Sequence, residues 1–175
     1  NLRLRGRSRI GLALSTGDYA RITFGNNSVP VSASGDIRTL VDYKAYDTVS
    51  TADARFCHMF SGCKNLTSSI ELPAKSLADN CYFQMFKDCI SLTTAPELPA
   101  TSLSENCYKE MFSGCKSLTT APELPATTLA SSCYMSMFSG CTALEGVNTF
   151  GTAIEDDAFK GCVALKSVQD MSGAP

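Results

Sequence analysis

The chain has 175 residues, 44% of them hydrophobic, and a formal charge of −2. That is enough apolar mass for one domain, or one domain with a small appendage, and no run approaches the roughly eighteen apolar residues of a membrane-spanning helix. The near balance of charge excludes the basic footprint of a nucleic-acid binder, although it hides an asymmetry: residues 1–50 carry seven Lys/Arg against four Asp/Glu, and residues 51–175 eight against thirteen.

The first fifty residues read as strands and turns. Leu2 and Leu4 alternate with Arg3 and Arg5; with Arg7 and Arg9 the arginines line one side of an edge strand protected by its charge. Tyr19 to Phe24, Val29 to Val31 and Ile37 to Val41 are further strand candidates, with Gly25-Asn26-Asn27-Ser28 as a turn. The N-terminus lacks the apolar run of a signal peptide, so the start is expected to lie inside a longer protein. Residues 1–50 are therefore expected to be a β-rich N-terminal cap, or the remnant of a preceding β domain.

From residue 51 the chain repeats. Met59-Phe60, Met85-Phe86, Met111-Phe112 and Met137-Phe138 recur every 26 residues, and a fifth unit starts near Ala158-Phe159 after a shorter interval, Cys141 to Cys162 spanning 21. A unit this short cannot bury its own apolar face, so units must stack into a continuous core, and a solenoid over residues 51–170 with a tail at 171–175 is the expected architecture. Within a unit, Ser91 to Pro96 reads as a strand, Pro96 and Pro99 bracket a turn, and Ala-Thr-x-Leu is a second short extended piece. Ser104 to Phe112 has helical spacing, Cys107/Met111 and Tyr108/Phe112 each four apart. Gly62, Gly114, Gly140 and Gly161 fall where such a helix would end in a left-handed residue, a place that Asp88 takes once. The expected fold class is thus an α/β repeat with short strands and short helices.

Stacking turns each repeated residue into a column about 4.8 Å in pitch. Leu66/92/118/144/165 and Phe60/86/112/138/159 are core columns. Cysteine supplies two more: Cys63/89/115/141/162 and Cys81/107/133, with Cys57 out of phase. The C-x7-C spacing and the single histidine, His58, exclude a zinc site. Disulfides between Cys81-type and Cys89-type residues remain open, but eight residues of straight helix span about 12 Å, beyond the roughly 7 Å limit for bridged Cα atoms. Cys162 has Ile154 where its partner would be, which favours small buried thiols bonded weakly into a turn.

Glu71, Glu97 and Glu123 form a stacked acidic column, read either as a solvated row or as a strip for a cation or basic partner. Thr93/Thr119/Thr67 and Thr94/Thr120/Ser68 flank it; without aromatic platforms these hydroxyl rows give little basis for glycan binding. No nucleophile elbow or phosphate loop is present, and Cys57 and His58, adjacent in sequence, are not disposed as a thiol and its base. The expectation is a chain that is no enzyme, with no cofactor and no metal.

The combination seen at Met111-Phe112-Ser113-Gly114-Cys115, then Leu118-Thr119 and Ala121-Pro122-Glu123-Leu124-Pro125-Ala126-Thr127, with Leu129-Ala130 closing it, resembles the BspA-type leucine-rich repeats of surface proteins from gut and oral anaerobic bacteria. The likeness covers roughly residues 56–168, and Leu4-Arg5-Gly6 with Ser34 to Leu40 is similar to what precedes such repeats. Arg55 in place of the repeated Cys, Phe56 in place of Tyr82 and the degenerate fifth unit depart from the pattern. The resemblance implies a right-handed leucine-rich-repeat solenoid outside the cell, at a bacterial surface or secreted, acting as an adhesin-like protein-binding module.

A second expectation is a spacer or stalk without a partner of its own. The two differ on whether any exposed face breaks the repeat, and units two and three differ chiefly at Ser104, Glu105, Lys109 and Glu110 against Ala130, Ser131, Met135 and Ser136. These eight are the candidate interaction surface, for a host or bacterial surface protein, on a monomer.

Overall fold

The computed structural model describes residues 12–13, 15–25, 28–51, 55–150, 154 and 157–173. The expected strand at Leu2 to Arg9, with its arginine row, and Asn26-Asn27 of the expected turn lie outside them.

The strands are short, parallel and paired across units. β1 (Val31–Ser32) pairs with β2 (Leu66–Ser68), β3 (Ser102–Leu103) with β4 (Thr128–Leu129), and β5 (Gly146–Thr149) with β6 (Ser167–Asp170). Isolated bridges Ser68–Thr94, Thr94–Thr120 and Thr120–Gly146 join β2 to β5 through the intervening units, so one narrow ladder runs along the repeats. A second runs from Ser76 through β3 to β4. The two are kept apart by Pro-Glu-Leu-Pro: the prolines carry no ladder donor, while Leu98 and Leu124 between them are buried.

The helix expected over Ser104 to Phe112 is not formed. In its place each unit has a chain of β-turns, among the described residues without an α-helix anywhere. Every fourth residue takes a left-handed conformation: Asn80, Gln84 and Asp88 in one unit, Asn106, Glu110 and Gly114 in the next, Ser132, Ser136 and Gly140 after that, all with φ between 52° and 76°. A left-handed residue breaks the i to i−4 ladder, so the backbone donors alternate. Phe83, Met85, Lys87 and Cys89 donate to the carbonyl three residues back, closing turns, while Asn80, Tyr82, Gln84, Phe86 and Asp88 donate to Glu105, Cys107, Lys109, Met111 and Ser113 of the next unit at 2.8–3.1 Å. An isolated helix of two turns is marginal and leaves its end groups unpaired. The turn chain instead places half of its donors between units, and the Gly114 class is the last left-handed step of a turn chain rather than a helix cap.

The period is therefore four residues, and it puts Cys81, Met85 and Cys89 on one inward line and Tyr82 and Phe86 on another, all buried. Across units the aromatic rings stack nearly parallel. Phe60, Phe86, Phe112, Phe138 and Phe159 have successive centroids 5.5, 5.7, 5.6 and 5.8 Å apart; Phe56, Tyr82, Tyr108 and Tyr134 stand 6.2, 6.0 and 6.1 Å apart. Each such pair adds about 0.5–1.5 kcal/mol beyond its area burial. Leu66, Leu92, Leu118 and Leu144 are fully buried as expected; Leu165, in the last unit, is only partly so.

Among its described residues, the segment ahead of the repeats is poorer in strand than expected. Ile37 to Leu40, expected as strand, is a 3-10 turn: Asp36 accepts from the Arg38 amide at 2.8 Å and ion-pairs with its guanidinium at 2.7 Å, a local closure that competes with extended pairing. Tyr19 to Phe24 forms no continuous ladder; it is held by a bridge from Tyr19 to Ala13 and by a bond from the Ile22 amide to the Met59 carbonyl at 2.7 Å. Val31 likewise donates to Asn65 and Ile37 to Glu71. Ile37 and Val41 join the core formed by the repeats.

Candidate interaction surface

In each turn chain inward pairs such as Cys81-Tyr82 and Met85-Phe86 alternate with less buried pairs such as Phe83-Gln84 and Lys87-Asp88, and the left-handed residues of the middle pair form a file along the repeats: His58, Gln84, Glu110 and Ser136. Their side chains link neighbouring units. Glu110 accepts from Gln84 Nε2 at 3.1 Å and from the Lys87 ammonium; Ser136 donates its hydroxyl to Asp157 at 2.7 Å, and its amide reaches the same carboxylate at 3.2 Å. A left-handed non-glycine residue is uncommon, and Asn fits it better than Gln, Glu or His. The file thus keeps hydrogen-bonding side chains at places where glycine would sit with less strain.

Of the eight residues singled out by repeat comparison, Glu105, Lys109, Glu110, Ser131, Met135 and Ser136 share this turn-chain face, on neighbouring units. Glu105 and Ser131 are exposed, and their carbonyls accept the amides of Asn80 and Asn106. Lys109, Glu110, Met135 and Ser136 are half-buried. Ser104 and Ala130 instead sit at the exits of β3 and β4; the Ser104 hydroxyl is tied to the Leu77 carbonyl and the Ala130 amide to that of Leu103. Sequence comparison missed Gln84, Lys87 and Asp157, which complete the polar network. Extending it from units two and three to the whole file 58/84/110/136 would have found Gln84.

Glu71, Glu97 and Glu123 are exposed, in the Pro-bracketed connections rather than on the turn-chain face. Among the described residues no group of three or more His, Cys, Asp or Glu is placed to hold a metal ion. Thr93, Thr94, Thr119 and Thr120 are exposed, but the hydroxyls of Thr93 and Thr67 are bonded to the carbonyls of Thr67 and Val31 in the unit before.

All nine cysteines are free thiols, eight of them buried. In the first column each Sγ donates to a Phe carbonyl of the preceding unit: Cys89 to Phe60, Cys115 to Phe86 and Cys141 to Phe112 at 3.1 Å, and Cys162 to Phe138 at 3.0 Å. Cys63, in the first unit, donates to the Ile22 carbonyl at 3.0 Å. Burial pushes Cys57 and Cys63 up to about 11 and Cys107 and Cys141 up to about 12, and Cys81, Cys89 and Cys115 are raised by the same cause. Such thiols are neutral packing groups, not nucleophiles.

His58 is covered. Tyr19 stacks on its imidazole at 4.1 Å between centroids, and Phe83 meets it edge-on at 5.1 Å. Burial lowers its pKa, and the Cys57 thiol donates to the Ser15 carbonyl at 3.4 Å.

The sequence matches the BspA type leucine rich repeat region, in six copies over residues 57–166. No curated protein matches it. Among solved structures it is similar to a leucine rich cell surface protein from Faecalibacterium prausnitzii A2-165, at 20% identity and a TM-score of 0.45, over 86% of this chain and 31% of that one. The chain thus spans about a third of that protein. No helix among the described residues is long and apolar enough to cross a membrane.

Proposed function

We propose, for a chain that belongs to the BspA-type leucine-rich repeat family, that it is a non-catalytic, adhesin-like interaction module, displayed at a bacterial surface or secreted, whose repeats form a right-handed solenoid. Residues 1–50 act as its N-terminal cap, 51–170 as the repeat array and 171–175 as a tail. The observation that carries this reading is where the repeat stops repeating. Core columns are near-invariant from unit to unit, whereas the turn-chain face changes chemistry at each step: Phe83 and Gln84, then Lys109 and Glu110, then Met135 and Ser136. A pure spacer needs no such variation. The face is also prearranged, since Gln84, Lys87 and Glu110 are held by one another and Ser136 by Asp157. Preorganised side chains lose less freedom on docking.

The partner is a protein, since neither hydroxyl row presents an aromatic platform for sugar rings. The immobilised full chain should retain a protein from host-cell or bacterial surface extracts, and exchanging Lys109-Glu110 with Met135-Ser136 should change its recovery while leaving the melting temperature within a few degrees. Equal recovery by both forms, or none by either, would leave the spacer as the better account.

A further inference from the structure

The only histidine lies under a loop. Residues 15–20 are exposed and closed on themselves by reciprocal backbone bonds between Ser15 and Asp18, at 3.3 and 3.4 Å. Among the described residues, three contacts tie them to the first repeat unit: the Tyr19 ring on the His58 imidazole, the Thr16 backbone hydrogen-bonded to that imidazole, and the Ser15 carbonyl on the Cys57 thiol. At its C-terminal end Ala20 donates to Leu12 at 2.6 Å and Ile22 to Met59 at 2.7 Å, bonds that open when the loop lifts. Beneath it lie Cys57, fully buried, and Phe83, which with Ala13 form an apolar cluster apart from the main core. At the corresponding places of the later units stand Lys109/Glu110 and Met135/Ser136, which the loop does not reach. The loop thus covers one end of the turn-chain face, and a segment with so few ties belongs to the low-stability end of a structure.

We infer that the 15–20 loop is a pH-sensitive cover, latched by neutral His58 and released when that imidazole is protonated, which uncovers Cys57 and Phe83. The groups around the ring set the sign. Burial between Tyr19 and Phe83 opposes the imidazolium most strongly; the hydrogen bond to the Thr16 backbone favours it, Lys87 from the next unit and Arg21 beside the loop oppose it more weakly, Glu110 favours it least, and the balance leaves the pKa lowered. The Cys57 thiol beside it is neutral, its pKa raised by burial. The closed state therefore holds the proton less tightly than the open one. Closure is complete above the free-imidazole pKa of about 6.5 and weakens as pH falls below it. The cover stands whether or not the face it shields binds a partner.

The test uses the full chain, with hydrogen exchange at the Ala20 and Ile22 amides measured at about pH 7.5 and about pH 5 and corrected for intrinsic exchange. Wild type should lose protection on acidification. His58→Phe keeps a stacking ring that cannot titrate, and His58→Asn keeps a residue at ease with φ of 56°; in both, protection should not respond to pH. An equal response in wild type and either folded variant overturns the inference, as does a wild-type loop that tightens on acidification.

Discussion

The Sγ of Cys115 donates to the carbonyl of Phe86 in the unit before it at 3.1 Å, and that carbonyl already accepts the Cys89 amide at the same distance. One cysteine thus supplies the second donor to the acceptor that closes its neighbour's last turn. Cys115→Ala should cost about 1–2 kcal/mol, from lost volume plus a lost bond inside the core. Cys115→Ser keeps a donor and should cost a few tenths less than Ala. Urea denaturation of both decides it; an Ala variant as stable as wild type would reduce the thiol to filler.

The same burial makes the protein sensitive to alkali. A thiol whose folded pKa is raised holds its proton more tightly when folded, so its contribution is complete below the unfolded value of about 8.5 and is lost as pH rises through the folded one. For Cys57, Cys63, Cys107 and Cys141 that window runs from about 8.5 to about 11 or 12. The melting temperature should fall steadily across it, and alkylation at neutral pH should label the native protein slowly but all nine thiols in denaturant. Rapid native labelling of Cys89 or Cys115 would contradict the packing.

How much of this was legible beforehand divides along the backbone. The core columns were, because apolar identity repeats with the unit: Leu92, Phe86 and Cys89 could be placed inward without knowing the turn geometry between them. The helix misreading came from spacing, since Tyr108/Phe112 fits a period of 3.6 and a period of 4 equally well over one step. The two separate over two steps. Cys81, Met85 and Cys89 span eight residues, which a helix would rotate about 80° apart, and all three are fully buried. Asn80, Asn106 and the Gly114 class mark the left-handed steps, whereas Gln84, Glu110 and Ser136 carry no sequence signal for that conformation, so the polar file they form was only half visible.

Gly114 is constrained twice. Its φ is +76°, and a Cβ there would stand 2.3 Å from Asp88 Oδ1, which hangs over it from the preceding unit. Gly114→Ala should therefore cost about 1–2 kcal/mol for the left-handed strain and more for displacing the carboxylate. Asp88→Gly should be neutral or stabilising alone, because Asp88 itself sits at φ of 59°, and it should rescue the clash but not the strain. A double-mutant cycle by thermal denaturation reads the difference; strict additivity would show that the Asp88 carboxylate simply swings away.

The tyrosine column contains a cost that its first member avoids. Tyr82 and Tyr134 bury their hydroxyls with no hydrogen-bond partner among the described residues, and an unpaired buried hydroxyl typically costs about 1–3 kcal/mol. Phe56 fills the same column without one and is just as buried. Removing the oxygen from Tyr82 should leave the stack on Phe56 and Tyr108 intact, so Tyr82→Phe is expected to keep or raise stability by up to about 1 kcal/mol, and Tyr134→Phe likewise. Urea midpoints measured with unchanged m-values are the readout. A loss of more than about 1 kcal/mol in either variant would mean that its hydroxyl is satisfied in solution, by a water held between the units. Equal gains in both, additive in the double variant, would follow from two unpaired groups that do not touch, separated by the ring of Tyr108.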